Sequence, residues 1–233
     1  MLGGVLMARE WASLTMSGSK AFGWALGAVV VALVVWALLA APDIVNSFAG
    51  LLSIAAIGAA LVRSTSMKNI GWWLIGLAYV GMPMIAMWWL RTLDSGLVVL
   101  WVFLIVWATD IGGYFFGKGI GGPKLAPRIS PKKTWAGLLG GMAFSVVVGF
   151  ALHSLFSLGP VALVVVLASG ALAIWAQAGD LLESGIKRHF GAKDSGELIP
   201  GHGGLLDRVD GLVFVAPAMA LILFWFPTLQ IVG

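Results

Sequence analysis

The chain has 233 residues, of which 60% are hydrophobic and only 10% charged, and its formal net charge is +4. A water-soluble domain carries roughly 25% charged residues, so a soluble globular protein is excluded and a polytopic membrane protein is left. There is no cysteine, which rules out disulfides, thiolate metal sites and a cysteine nucleophile.

The opening stretch, "MLGGVLMAREWASLTMSGSK", is too short and too broken to span, and it lacks the charged start and cleavage site of a signal peptide. It reads as an interfacial helix or as the tail of a span. Seven apolar segments follow, at about 21–41, 44–62, 70–90, 96–117, 134–157, 160–180 and 209–230, each near the ~20 residues that cross a bilayer as a helix. Strands are not expected, because an unclosed sheet leaves backbone groups unpaired in lipid. The predicted fold is an all-α polytopic bundle of about seven transmembrane helices plus a short N-terminal helical fragment, in one integral membrane domain over residues 1–233.

Loop charge predicts the orientation. One side collects Arg9, Lys20, Arg63, Lys68, Lys118, Lys124, Arg128, Lys132, Lys133, Lys187, Arg188, Lys193 and Arg208, and the other holds only Arg91. The asymmetry puts a basic loop, 118–133, and a second long loop, 181–210, in the cytosol. The outer turns near Asp43, Asp94 and Ser157 are too short for a site.

Asp110, in "VFLIVWATDIGGYFFGK", lies inside an apolar segment towards its cytosolic end. A mid-helix carboxylate costs about 2.5–3.5 kcal/mol on insertion scales, so it either snorkels to the boundary or faces a polar cavity. The loop after it, "GKGIGGPKLAPRISPKKTW", carries five bases and no acid. That is the positive-inside signal or a phosphate-binding loop. Gly112, Gly117 and Lys118 nearly spell a Walker motif, but Gly119 stands where a hydroxyl should bind magnesium and a membrane helix precedes it, so that reading fails.

The sixth segment runs on without a breaker through "AIWAQAGDLLESGIKRHFG". A continued helix puts Asp180, Ser184 and Lys187 on one face, with Gln177 and Arg188 beside them. After a turn, "IPGHGGLLDRVDG" leads into the last segment, where Asp207 and Asp210 share the first turn with Arg208 between them. One such acid suits the helix dipole; two are more than it needs. Consecutive short-looped helices are usually neighbours, so Asp180 and Asp207 are expected to converge on a cation. Oxygen ligands without cysteine point to magnesium. Acids for a hard cation beside bases for phosphates suit phosphoryl or nucleotidyl transfer. His202, among Pro200, Gly201, Gly203 and Gly204, reads equally as a base, a turn residue or a phosphate donor. His189 reads as solvated and His153 as packed or interfacial. "GLLGG" at 137–141 is a weak helix-packing signal.

At this point the sequence closely resembles the phosphatidate cytidylyltransferases, or CDP-diacylglycerol synthases. Their C-terminal signature is met by Ser184, Ile186, Lys187, Arg188, Lys193, Asp194, Ile199, Pro200, His202, Gly203, Gly204, Leu205, Asp207, Arg208, Val209 and Asp210. The likeness continues upstream through "GDLLES", "KLAPRISPKKTW" and "ATDIGGYFFGK", covering at least 100–211. Two features depart from the family pattern. Ala136 stands where the family usually has Glu after its Trp, and a further apolar stretch normally precedes "MAREWASL", so a chain shortened by more than one span is expected.

The resemblance implies transfer of CMP from CTP to phosphatidate in a cytosol-facing funnel of the cell membrane, with magnesium and often a nearby potassium ion. It maps metal ligands to Asp180 and Asp207, with Asp210 the less secure. It gives Lys187, Arg188, Lys193, Arg208, Lys132 and Lys133 to phosphates. Asp110, Ser184, His202, Gly203 and Gly204 complete the expected substrate site. Lipid is a partner, nucleic acid is not expected, and a homodimer stays open. A CTP-dependent lipid kinase, releasing CDP instead of pyrophosphate, is the nearest rival; an ion or phosphate transporter is the rival from another class.

Overall fold

The structure, a computed structural model, describes residues 2–15, 20–39, 50, 67–93, 96–157, 161–198, 201 and 203–226. The expected span at 44–62, apart from residue 50, and His202 lie outside them. Among the described residues the elements are α1 (Leu2–Thr15), α2 (Lys20–Leu39), α3 (Met67–Leu93), α4 (Leu97–Gly119), β1 (Lys124–Ala126), β2 (Ser130–Thr134), α5 (Trp135–Phe156), α6 (Ala162–His189) and α7 (Leu206–Trp225). Five of the helices, α3 to α7, are long and apolar enough to cross a membrane, and the protein is membrane-embedded. Many of their outward side chains are large and apolar, among them Trp107, Phe115, Val147, Phe150, Leu163 and Leu221. Lipid solvates such faces; water would not.

One expectation needs correcting. The basic loop is not wholly irregular: β1 and β2 form an antiparallel hairpin, pairing Lys124 with Thr134 and Ala126 with Ser130. The prohibition on open strands applies to the hydrocarbon region, and this hairpin lies outside the spans.

The chain divides into two compact units, Met1–Trp89 with Ile186–Val209, and Leu90–Gly185 with Asp210–Gly233. In the first, α1 packs on α2: a Cβ on Gly4 would lie 2.9 Å from Val30 Cγ1. Trp11 is buried. Its indole N–H donates to the Trp72 carbonyl at 3.0 Å, its ring stacks on Tyr79 at 4.9 Å, and it fills the space beside Gly76. So α1 is a packed element of this unit.

In the second unit, α4 and α5 meet along glycines. A Cβ on Gly112 would lie 2.8 Å from the Gly140 carbonyl oxygen and 3.0 Å from Gly141 Cα, and one on Gly137 would lie 2.9 Å from the Gly113 carbonyl oxygen. The glycines that suggested a Walker motif, and those of the weak "GLLGG" signal, are the two sides of one close helix contact. Beside it, Thr109 and Ser145 hydroxyls share a buried hydrogen bond of 2.9 Å, the kind of polar link that joins helices in lipid.

Candidate active site

The close α4–α5 contact positions the second unit's polar site. Thr134 ends the hairpin and caps α5, its Oγ1 accepting from the Gly137 N–H at 3.1 Å. This fixes Lys132 and Lys133 just ahead of the helix. Asp110 comes from α4 and Asp180 from α6. These four side chains, with Gly113, Tyr114, Thr134, Gly137, Leu138 and Gln177, line a cavity of about 200 Å³. Asp180 is ion-paired through Oδ2 with Lys133, and its Oδ1 accepts a long bond of 3.4 Å from the Ser184 hydroxyl. Four residues predicted from sequence, Asp110, Asp180, Lys132 and Lys133, are thus brought together.

Asp210 joins them from α7. It lies within electrostatic reach of Asp180, Glu183 and Asp110, and Asp110 is in reach of Asp180 and Lys133. Glu183 is buried and does not stand out in the sequence. Among the described residues, no three His, Cys, Asp or Glu side chains are gathered tightly enough to hold a metal ion by themselves.

The first unit holds the signature loop. Helix α6 stops where Gly191 takes φ +70. The Gly191 N–H donates to the Arg188 carbonyl at 3.1 Å and the Ala192 N–H to the Lys187 carbonyl at 2.9 Å, the paired bonds of a glycine-terminated helix. Lys187 then turns to Asp207: Nζ and Oδ1 are 2.6 Å apart and both side chains are largely buried. Asp207 Oδ2 accepts from the Ser195 N–H at 2.8 Å, the Ser195 hydroxyl at 3.0 Å and the Gly204 N–H at 2.8 Å. Gly203, at φ +83, comes so close that a Cβ would sit 2.8 Å from the same oxygen. Gly203 and Gly204 therefore shape the seat of Asp207. Arg188 donates to the Ala192 carbonyl at 3.1 Å. Arg188, Lys193 and Arg208 are exposed.

One residue of this seat was missed. Glu10 of α1 is buried, 8% exposed, and accepts from the Leu205 N–H at 2.8 Å and the Leu206 N–H at 2.9 Å, with the Ser195 hydroxyl oxygen 3.4 Å from its Oε2. The only signal in the sequence was chemical: a carboxylate on a short apolar helix must find donors or stay in water.

Fold and site together define a polytopic membrane protein in which lysines and carboxylates share a cavity. The chain matches the cytidylyltransferase family over residues 1–226, and it belongs to that family. It is 41% identical over 227 residues to the phosphatidate cytidylyltransferase of Brucella suis biovar 1 (strain 1330), an alignment spanning 94% of this chain and 80% of that protein. To the phosphatidate cytidylyltransferase of Staphylococcus epidermidis (strain ATCC 12228 / FDA PCI 1200) it is 44% identical over 151 residues, spanning 64% of this chain and 57% of the relative.

Proposed function

We infer that the protein is a nucleotidyltransferase that moves CMP from CTP to phosphatidate, giving CDP-diacylglycerol and pyrophosphate. The observation that carries this reading is the cavity where Asp110 and Asp180 face Lys132 and Lys133. The family match and the names of the relatives supply the substrates.

In the reaction, a phosphate oxygen of phosphatidate attacks the α-phosphorus of CTP. A new P–O bond forms there, the bond from the α-phosphorus to the α–β bridging oxygen breaks, and pyrophosphate leaves with the electron pair. The chain's part is positioning and charge. Lys132, exposed at the cavity, offers its ammonium to CTP phosphates. Lys133 can exchange its Asp180 partner for a phosphate oxygen. Arg188, Lys193 and Arg208 add exposed cations on the signature loop.

The donor set suits magnesium. Carboxylates in mutual reach leave a surplus of negative charge, and this ion is commonly held by one or two carboxylates together with substrate phosphates. Asp180, with Asp110 and Asp210 in reach, would hold it. The resemblance also assigns Asp207, whose Oδ1 is bonded to Lys187. Bound there, the ion would neutralise phosphate charge that otherwise opposes the attack.

The basic side of the chain faces the cytosol of the cell membrane in this reading, since loop bases set orientation. Phosphatidate stays in the bilayer, because exposing its chains costs about 0.8 kcal/mol per CH₂. The test uses the full chain in detergent with phosphatidate, magnesium and CTP labelled at the α-phosphate. Label passing into lipid with equimolar pyrophosphate supports transfer. Lipid labelled only from γ-labelled CTP, with CDP released, would make the protein a lipid kinase.

A further inference from the structure

We propose that Glu10 is a positioning residue: from the N-terminal helix it holds the start of α7 and, through Ser195, the signature loop in the form that receives CTP. The inference rests on the transfer reading above.

The geometry is specific. Each Glu10 carboxylate oxygen takes one backbone N–H at the first turn of α7, from Leu205 at 2.8 Å and Leu206 at 2.9 Å. These are donors that a helix start leaves without intrahelical partners, and a negative charge there also suits the helix dipole. Asp207 sits on the same turn and takes the Gly204 N–H. Two carboxylates from distant parts of the chain thus take three consecutive backbone N–H groups, Gly204 to Leu206, that lead into one helix.

Ser195 couples them. Its hydroxyl lies 3.0 Å from Asp207 Oδ2 and 3.4 Å from Glu10 Oε2, and a hydroxyl has one proton to give. The space is closed around this link: a Cβ on Gly204 would lie 2.7 Å from Glu10 Oε2, and one on Gly196 would lie 3.1 Å from Oε1. Moving Glu10 therefore moves Ser195 and the Asp207 seat, and with them the cations of the loop. Buried hydrogen-bonded chains of this kind act as units.

Glu10→Gln tests it in the full chain, because an amide keeps the shape but replaces one acceptor oxygen with a donor that must face a backbone N–H. The expected result is a kcat/KM for CTP lower by on the order of 100-fold, as misplacement by about 1 Å can cause, carried mainly by a higher KM for CTP. The KM for phosphatidate should stay unchanged. Tryptic cleavage after Arg188 and Lys193 should accelerate without any substrate present, a readout that stands even if the wild-type protein fails to transfer CMP. Glu10→Asp, which keeps the charge on a shorter stem, should recover part of the CTP affinity. Wild-type CTP kinetics in Glu10→Gln would overturn the proposal, as would equal loss towards both substrates. If Glu10→Gln does not fold, Ser195→Ala decides: it should shift CTP KM and cleavage in the same direction by less, and wild-type values for both would overturn the coupling.

Discussion

Lys133, the penultimate residue of the hairpin's second strand, is ion-paired with Asp180 of α6, and both line one cavity with Asp110. The pair joins the basic loop to the helix that runs on into the signature. It also neutralises one member of a carboxylate group in which Asp110, Asp180 and Asp210 feel one another. In the proposed reaction substrate phosphates and a cation would replace each partner in kind, and the contact would hold both groups in place until then.

Lys133→Met should therefore lower kcat about 10²- to 10³-fold, the usual effect of deleting one charge-stabilising donor. Both side chains remain partly exposed, at 16% and 25%. Stability should accordingly fall by less than the ~3–5 kcal/mol seen when a fully buried pair loses one member. Steady-state kinetics and a thermal melt in detergent measure the two effects. Near-normal turnover would remove Lys133 from the mechanism.

Asp180→Asn and Asp207→Asn should both be inactive, but for separable reasons. Asp180 sits at the cavity, ion-paired with Lys133, so its amide variant should keep wild-type resistance to trypsin. Asp207 seats the loop through four bonds. An amide pairs poorly with Lys187 and cannot accept at both atoms, so Asp207→Asn should also speed cleavage after Arg188 and Lys193. Turnover by either variant at saturating magnesium would contradict its assignment, and unchanged proteolysis of Asp207→Asn would contradict the seat.

Five of the seven expected spans, those from residue 70 onward, were legible because apolar runs of bilayer length need no partner to be recognised. Asp110, Asp180, Lys132 and Lys133 were legible because charge at a membrane boundary stands out against an apolar chain. The hairpin was not: "KLAPRISPKKT" is short, rich in proline and basic, and lacks the alternation that marks a strand. Glu10 was missed for a different reason. Its partners are backbone N–H groups nearly two hundred residues away, and backbone donors leave no mark in sequence. The glycines of α4 were legible as glycines, but only their close approach to α5 shows that packing holds them there.

That contact gives a packing prediction. Gly112→Val would push a side chain into the Gly140 carbonyl and Gly141, and overpacking of this kind costs about 1–3 kcal/mol. It should lower the melting temperature and, by spreading α4 from α5, reduce activity as well. Gly119→Ala is the control, since a Cβ there would meet nothing within 4 Å and the residue ends the same helix. If Gly112→Val melts like Gly119→Ala, the glycine seam is not what holds these helices.

Asp110 separates function from stability most cleanly. It lies in a span, Leu97–Gly119, where a carboxylate costs about 2.5–3.5 kcal/mol at the helix centre and less towards the boundary. The carboxylates of Asp180 and Asp210 lie within electrostatic reach of it, as does the Lys133 ammonium. Natural proteins keep such destabilising residues at functional sites, and the proposed reading gives Asp110 a place at one. Asp110→Leu should therefore express and insert at least as well as the parent and melt at the same or a higher temperature, while turnover falls by roughly 10- to 100-fold through lost substrate positioning. Asp110→Asn, which keeps hydrogen bonding without charge, should lie between them in activity. A large drop in melting temperature for Asp110→Leu would mean that Asp110 braces the bundle, and its place in the substrate site would have to be given up.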